Sequence, residues 1–194
     1  MRVIRIPLYF LIFFLVSSCG LPYCKKIPFE EEELLWFSSY PEIDTVYFSN
    51  NVSTDSLIIL KKEINNPKNT CIFDLEGCKW MEGDNEYYAN GGYDFMFIHN
   101  SVTYYCSFTL QKIADNQSVV SIGFCGQYSL RLPSNKLKNV MIDGTIYRNC
   151  CYFDSSVLEE GTHQPVEKID YLLWSREDGL ICYSIEGVIY TALS

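Results

Sequence analysis

The side chains with the most chemistry to offer in this 194-residue chain are nine cysteines and two histidines. A protein zinc site needs closely spaced thiolate or imidazole pairs. No Cys-x₂-Cys pair occurs, and His99 and His163 have no companion three or four residues on. Neither a metal site nor a cofactor is therefore expected. Cys71 and Cys78 flank the turn-forming stretch Phe73-Asp74-Leu75-Glu76-Gly77. They are the local pair best placed for a disulfide in an oxidising compartment. The competing reading is that the thiols stay reduced and act as small buried hydrophobes. Cys150 and Cys151 alternate across one strand, so they should face different neighbours and not bond each other. Hydrolytic and phosphoryl-transfer signatures are missing: the chain has no Gly-x-Ser-x-Gly elbow, no P-loop and no Gly-x-Gly-x-x-Gly. The acid groups Glu159-Glu160 and Glu82/Asp84/Glu86 read as solvated loops, and the chain is not expected to be an enzyme.

Aromatic side chains are the other chemical feature. Tyr87, Tyr88, Tyr93 and Phe95 cluster around Asn90-Gly91-Gly92, with Phe97, Tyr104 and Tyr105 close by. Rings in such numbers can stack on sugars or line an apolar cavity, so these four are the candidate ligand surface. The alternative is that they are strand core.

Whatever the site, a folded body must carry it. Hydrophobic residues make up 48% of the chain, too many for a disordered polymer. The formal charge of −9 argues against a nucleic-acid partner, which calls for Lys and Arg to displace counterions. Alternation with period two dominates. From Val102 to Leu110 the even positions are Val, Tyr, Cys, Phe and Leu, while the odd ones are Thr, Tyr, Ser and Thr. A second strand places Val120, Ile122, Phe124 and Tyr128 on one face, with Val119, Ser121, Gly123, Cys125 and Gln127 on the other. The two apolar faces must share one side of the sheet, so even positions should pair with even. That register separates Cys106 from Cys125. Asp143-Gly144, Arg176–Gly179 and Glu186-Gly187 mark further turns, the last setting Ile185 opposite Val188 and Tyr183 opposite Tyr190. The expected fold is all-β: an antiparallel meander of about nine or ten strands, as a curved sheet, sandwich or partly open barrel.

The start of the chain has a different character. Arg2 and Arg5 precede the apolar run Ile6–Val16, and small residues lead into Cys19. Leu15-Val16-Ser17-Ser18-Cys19 resembles the lipobox of bacterial lipoproteins. In that family the cysteine thiol takes a diacylglycerol, the preceding bond is cut and the new amino group is acylated. The resemblance implies a signal peptide at 1–18, a lipidated Cys19 with a tether over 19–33, and one β-rich domain over 34–194. The membrane partner is then reached through acyl chains on Cys19. Gly20 after the cysteine favours the outer membrane in that family, with the periplasmic or surface face left open. The acidic run Glu30–Glu33 reads as a solvated linker or the first turn of a short helix.

A second resemblance covers roughly residues 138–190. Ile142-Asp143-Gly144-Thr145-Ile146-Tyr147, Tyr171-Leu172-Leu173-Trp174-Ser175 and Gly179-Leu180-Ile181-Cys182-Tyr183 are similar to a pattern in small membrane-anchored lipoproteins of Bacteroidota that have no assigned activity. It implies a cell-envelope β domain and no reaction. Three roles are compatible with it: binding or assembly of a protein partner, carriage of a lipid or apolar ligand in a half-barrel, and glycan binding or processing.

Overall fold

The computed structural model describes residues 24–67, 85–129, 131–142, 144–160 and 167–193. Cys19, Cys71, Cys78 and the signal segment lie outside them. The chain divides into two compact units. The first takes Met1–Lys26 and Lys68–Tyr87, and its described residues are 24–26 and 85–87, in the paired strands β1 (Cys24–Ile27) and β4 (Asn85–Tyr88). The second takes Ile27–Pro67 and Tyr88–Ser194.

In chain order the second unit holds a one-turn helix α1 (Glu31–Leu34), continued by a 3₁₀ turn (Leu35–Phe37), then β2 (Thr45–Ser49), β3 (Thr54–Asn65), β5 (Asn90–His99), β6 (Val102–Ala114), β7 (Gln117–Phe124) and β8 (Gln127–Ser129). It continues with β9 (Leu132–Pro133), β10 (Lys138–Ile142), β11 (Thr145–Asp154), β12 (Leu158–Glu160), β13 (Ile169–Ser175), β14 (Gly179–Ile185) and β15 (Val188–Ala192). The strands make one open sheet of thirteen in the order β10-β11-β13-β14-β15-β2-β3-β5-β6-β7-β8-β12, with β9 also paired to β7. The described pairings within it are antiparallel. The all-β meander is thus the observed fold, with more strands than the nine or ten expected. No helix among the described residues is long and apolar enough to cross a membrane.

Register follows the apolar pattern. Phe108 pairs with Ile122 and Leu110 with Val120, even with even. Ile142 pairs with Thr145 across the turn at Gly144, and Tyr183 with Tyr190. A one-residue slip would turn every core side chain outward, which is why these pairings are so strongly specified. The expected second strand runs straight through Tyr128, and there the structure differs. Cys125 and Gly126 both have positive φ, +48° and +78°, and turn the chain back into β8. The alternation restarts after that turn. Cys125 and Gln127 are buried and Tyr128 is exposed, the reverse of the expectation. Cys125 and Cys106 therefore share one core and are not separated by the sheet.

The inner face of the sheet curls until it packs on itself. Trp174 of β13 stacks on Phe108 of β6 with centroids 4.2 Å apart and planes 7° off parallel. Trp36 of the 3₁₀ turn lies on the other side of Phe108 at 5.6 Å. Tyr183 and Tyr190 stack at 4.9 Å, and Phe97 meets Tyr183 edge-on at 5.2 Å. Offset and edge-to-face rings add about 0.5–1.5 kcal/mol per pair beyond their buried area. Ile27 and Phe29 are buried too, so the packed body takes in residues ahead of 34, within the stretch read as tether. At the β13–β14 turn, Gly179 has φ +78°, and a β-carbon there would lie 2.4 Å from the Tyr40 ring. Glycine is what lets Tyr40 reach over and accept the Leu180 N–H at 2.8 Å. Cys150 and Cys151 do face opposite ways. Cys151 joins the main core, while Cys150 joins Leu173, Ile181 and Cys182 in a small cluster of its own.

Candidate functional site

The alternation of β6 makes the site. Its even positions Tyr104, Cys106, Phe108 and Leu110 point into the core, and the next one inward is Lys112. An ammonium group there must find a counter-ion or lose several kcal/mol of hydration. Its ladder partner on β7 is Ser118, also buried. The counter-ion comes from the acidic run: Glu33 of α1 accepts from Lys112 Nζ at 2.7 Å through Oε2. Its other oxygen, Oε1, accepts from the Ser118 hydroxyl in a short contact. Glu33 Oε2 also accepts the Glu30 N–H at 2.8 Å, which closes the first turn of α1. Lys112 is 1% exposed and Glu33 15%. Burial pushes the Glu33 carboxyl up, but donors from Lys112, Ser118 and the Glu30 backbone outweigh it and hold the group below the usual carboxylate range.

This trio lies in a groove of about 940 Å³. Glu30 and Glu32 stand along it, with Glu32 bonded to Arg176 Nη1 at 3.3 Å. Side-chain amides of Asn116, Gln117, Asn135 and Asn149 supply further donors and acceptors, and Trp36 gives the groove an apolar patch. Arg176 Nε is buried without a hydrogen-bond partner among the described residues. Chemically the groove can hold a polar ligand by charge and amide hydrogen bonds.

A second buried polar cluster ties β3 to β14. Asp55 of β3 bonds His99 Nδ1 at 2.7 Å and accepts from Tyr183 OH of β14. Asn100 Nδ2 covers the other imidazole nitrogen at 2.9 Å. The rings of Phe97 and Tyr190 pack on the imidazole. Burial, followed by the Asp55 carboxylate, raises the Tyr183 phenol and keeps it protonated.

The candidate ligand surface read from sequence divides. Tyr93 and Phe95 are inward residues of β5, 1% and 0% exposed, and pack on Trp174, so they are core and not a stacking strip. Their even neighbours on β5 face out instead. Tyr87 and Tyr88 are half-buried. The thiols at 106, 125, 150, 151 and 182 are buried and not in disulfides. Burial drives Cys106 and Cys151 up to about 12 and Cys150 up to about 11. Among the described residues no cluster of His, Cys, Asp or Glu could hold a metal ion. Sequence reasoning passed over the groove, although a lysine on the apolar phase of a strand was a visible signal. Its partner is 79 residues away, beyond any local pattern.

Fold and groove together make a β-sheet body with a charged, amide-lined cleft. Compared with known protein families, curated proteins and solved structures, the chain matches none.

Proposed function

We propose that this chain is a lipid-anchored protein of the bacterial cell envelope, held at the outer membrane through acyl groups on Cys19, that acts by binding a polar partner and not by catalysis. The anchor rests on the sequence Leu15–Cys19 and the charged and apolar segments ahead of it. Binding rests on one observation: a buried ion pair, Lys112–Glu33, sits in a wide hydrophilic groove instead of in closed core. An apolar carrier is less well supported, because stacked rings of Trp36, Phe108 and Trp174 fill the inner face where a greasy ligand would go. Two acyl chains or more give stable anchoring, whereas one gives marginal binding. Membrane fractionation and intact mass test the anchor: the native chain should sediment with membranes and carry acyl mass, and Cys19→Ala should do neither. Carbodiimide footprinting tests the groove. Glu30 and Glu32 should label less in intact envelopes than in the purified chain; equal labelling would remove the binding assignment.

A further inference from the structure

The outer face of the same sheet carries a trough that the groove does not use. Across five strands the register runs Lys61, Asp94, Ser107, Gly123, Tyr128, each paired with the next. At about 4.8 Å per strand this row is roughly 19 Å long. Two adjoining hollows of about 390 and 440 Å³ share Lys61 and Asp94. Tyr105 stands beside the row, 66% exposed, and Tyr128 ends it, 47% exposed. Gly123 makes room for that end: a β-carbon there would meet Tyr128 ring carbons at 2.9 and 3.0 Å, so only glycine lets the ring approach the backbone so closely. The trough thus alternates aromatic surface with the Lys61–Glu63 ion pair, the Asp94 carboxylate and the Ser107 hydroxyl.

We propose that this trough binds a saccharide chain, with Tyr105 and Tyr128 stacking on sugar rings and Lys61, Asp94 and Ser107 hydrogen-bonding their hydroxyls. Aromatic faces beside mixed donors and acceptors suit a ligand whose rings have apolar faces and polar rims. An acyl chain would strip water from Lys61 and Asp94 without repaying it. A peptide strand would need an open sheet edge, and along this row Asp94, Ser107, Gly123 and Tyr128 each have a ladder partner on both sides. A formal charge of −9 disfavours nucleic acid. The proposal uses different residues from the groove and stands whether or not Cys19 is acylated.

The test is affinity electrophoresis of the detergent-solubilised full chain through gels containing laminarin, xylan, mannan or dextran. At least one polysaccharide should retard the chain. Tyr105→Ala should weaken retardation at least tenfold. So should Tyr128→Leu, which keeps apolar cover over Gly123 and loses the ring. Tyr47→Ala, another exposed ring outside the two hollows, should stay within twofold. No retardation in any of the four gels would overturn the proposal. Retardation unchanged by both trough variants, with far-UV circular dichroism intact, would overturn it equally.

Discussion

Replacing Lys112 by Met isolates the groove's ion pair. The side chains are similar in length, so the inward path beside Trp36 stays filled and the charge alone is lost. Removing one member of a buried pair costs about 3–5 kcal/mol, because the other charge is left without its counter-ion. Glu33 is 15% exposed and keeps the Ser118 hydroxyl and the Glu30 N–H, which favours the lower end, about 3 kcal/mol. For a domain of this size each kcal/mol shifts Tm by about 2–4 °C, so the variant should melt about 6–12 °C lower. Urea unfolding followed by tryptophan fluorescence should show a lower midpoint with an unchanged slope. The double variant Lys112→Met/Glu33→Gln no longer strands a carboxylate and should be more stable than the two single losses added together, by at least about 1 kcal/mol. A single-variant loss under about 0.5 kcal/mol, or strict additivity, would show that the pair is solvated and the site misread.

The depressed Glu33 carboxyl sets a pH dependence. Its stabilisation is complete above the unfolded carboxylate range and is lost as pH falls through the lower folded value. Acid unfolding should be shallower in Glu33→Gln, and superimposable curves would contradict this. Gly179→Ala combines a positive φ with a β-carbon 2.4 Å from the Tyr40 ring and should cost at least about 2 kcal/mol in the same urea assay. Buried thiols with raised pKa should resist iodoacetamide: at pH 8, Cys106, Cys150 and Cys151 should label only after unfolding, as read residue by residue by mass spectrometry.

The hairpins could be read from sequence because their rules are local. Alternation from Val102 through Phe124 and turns such as Glu186-Gly187 determine which face is buried before any distant contact forms. Cys125-Gly126 does not read as a turn, and with it the exposed position of Tyr128 is hidden, since Cys rarely takes a positive φ and the alternation can be carried straight through to Tyr128. Tyr93 and Phe95 were ambiguous because a ring on a strand looks the same whether its face meets core or solvent; curling of the sheet onto Trp174 decided it. The groove depended on Glu33 meeting Lys112, a pairing that only the completed fold brings about.

β15 joins two stretches of sheet that are distant in sequence, laying Thr191 beside Ser49 and Ala192 beside Phe48. One edge of this seam is made when an emerging polypeptide is barely begun and the other only when nearly all of it is available. Closure therefore waits on loop-closure entropy across most of the chain, which predicts slow, late consolidation with early strands unpaired meanwhile. In an export setting, that delay would keep the chain pliable enough to be threaded across a bilayer before it locks.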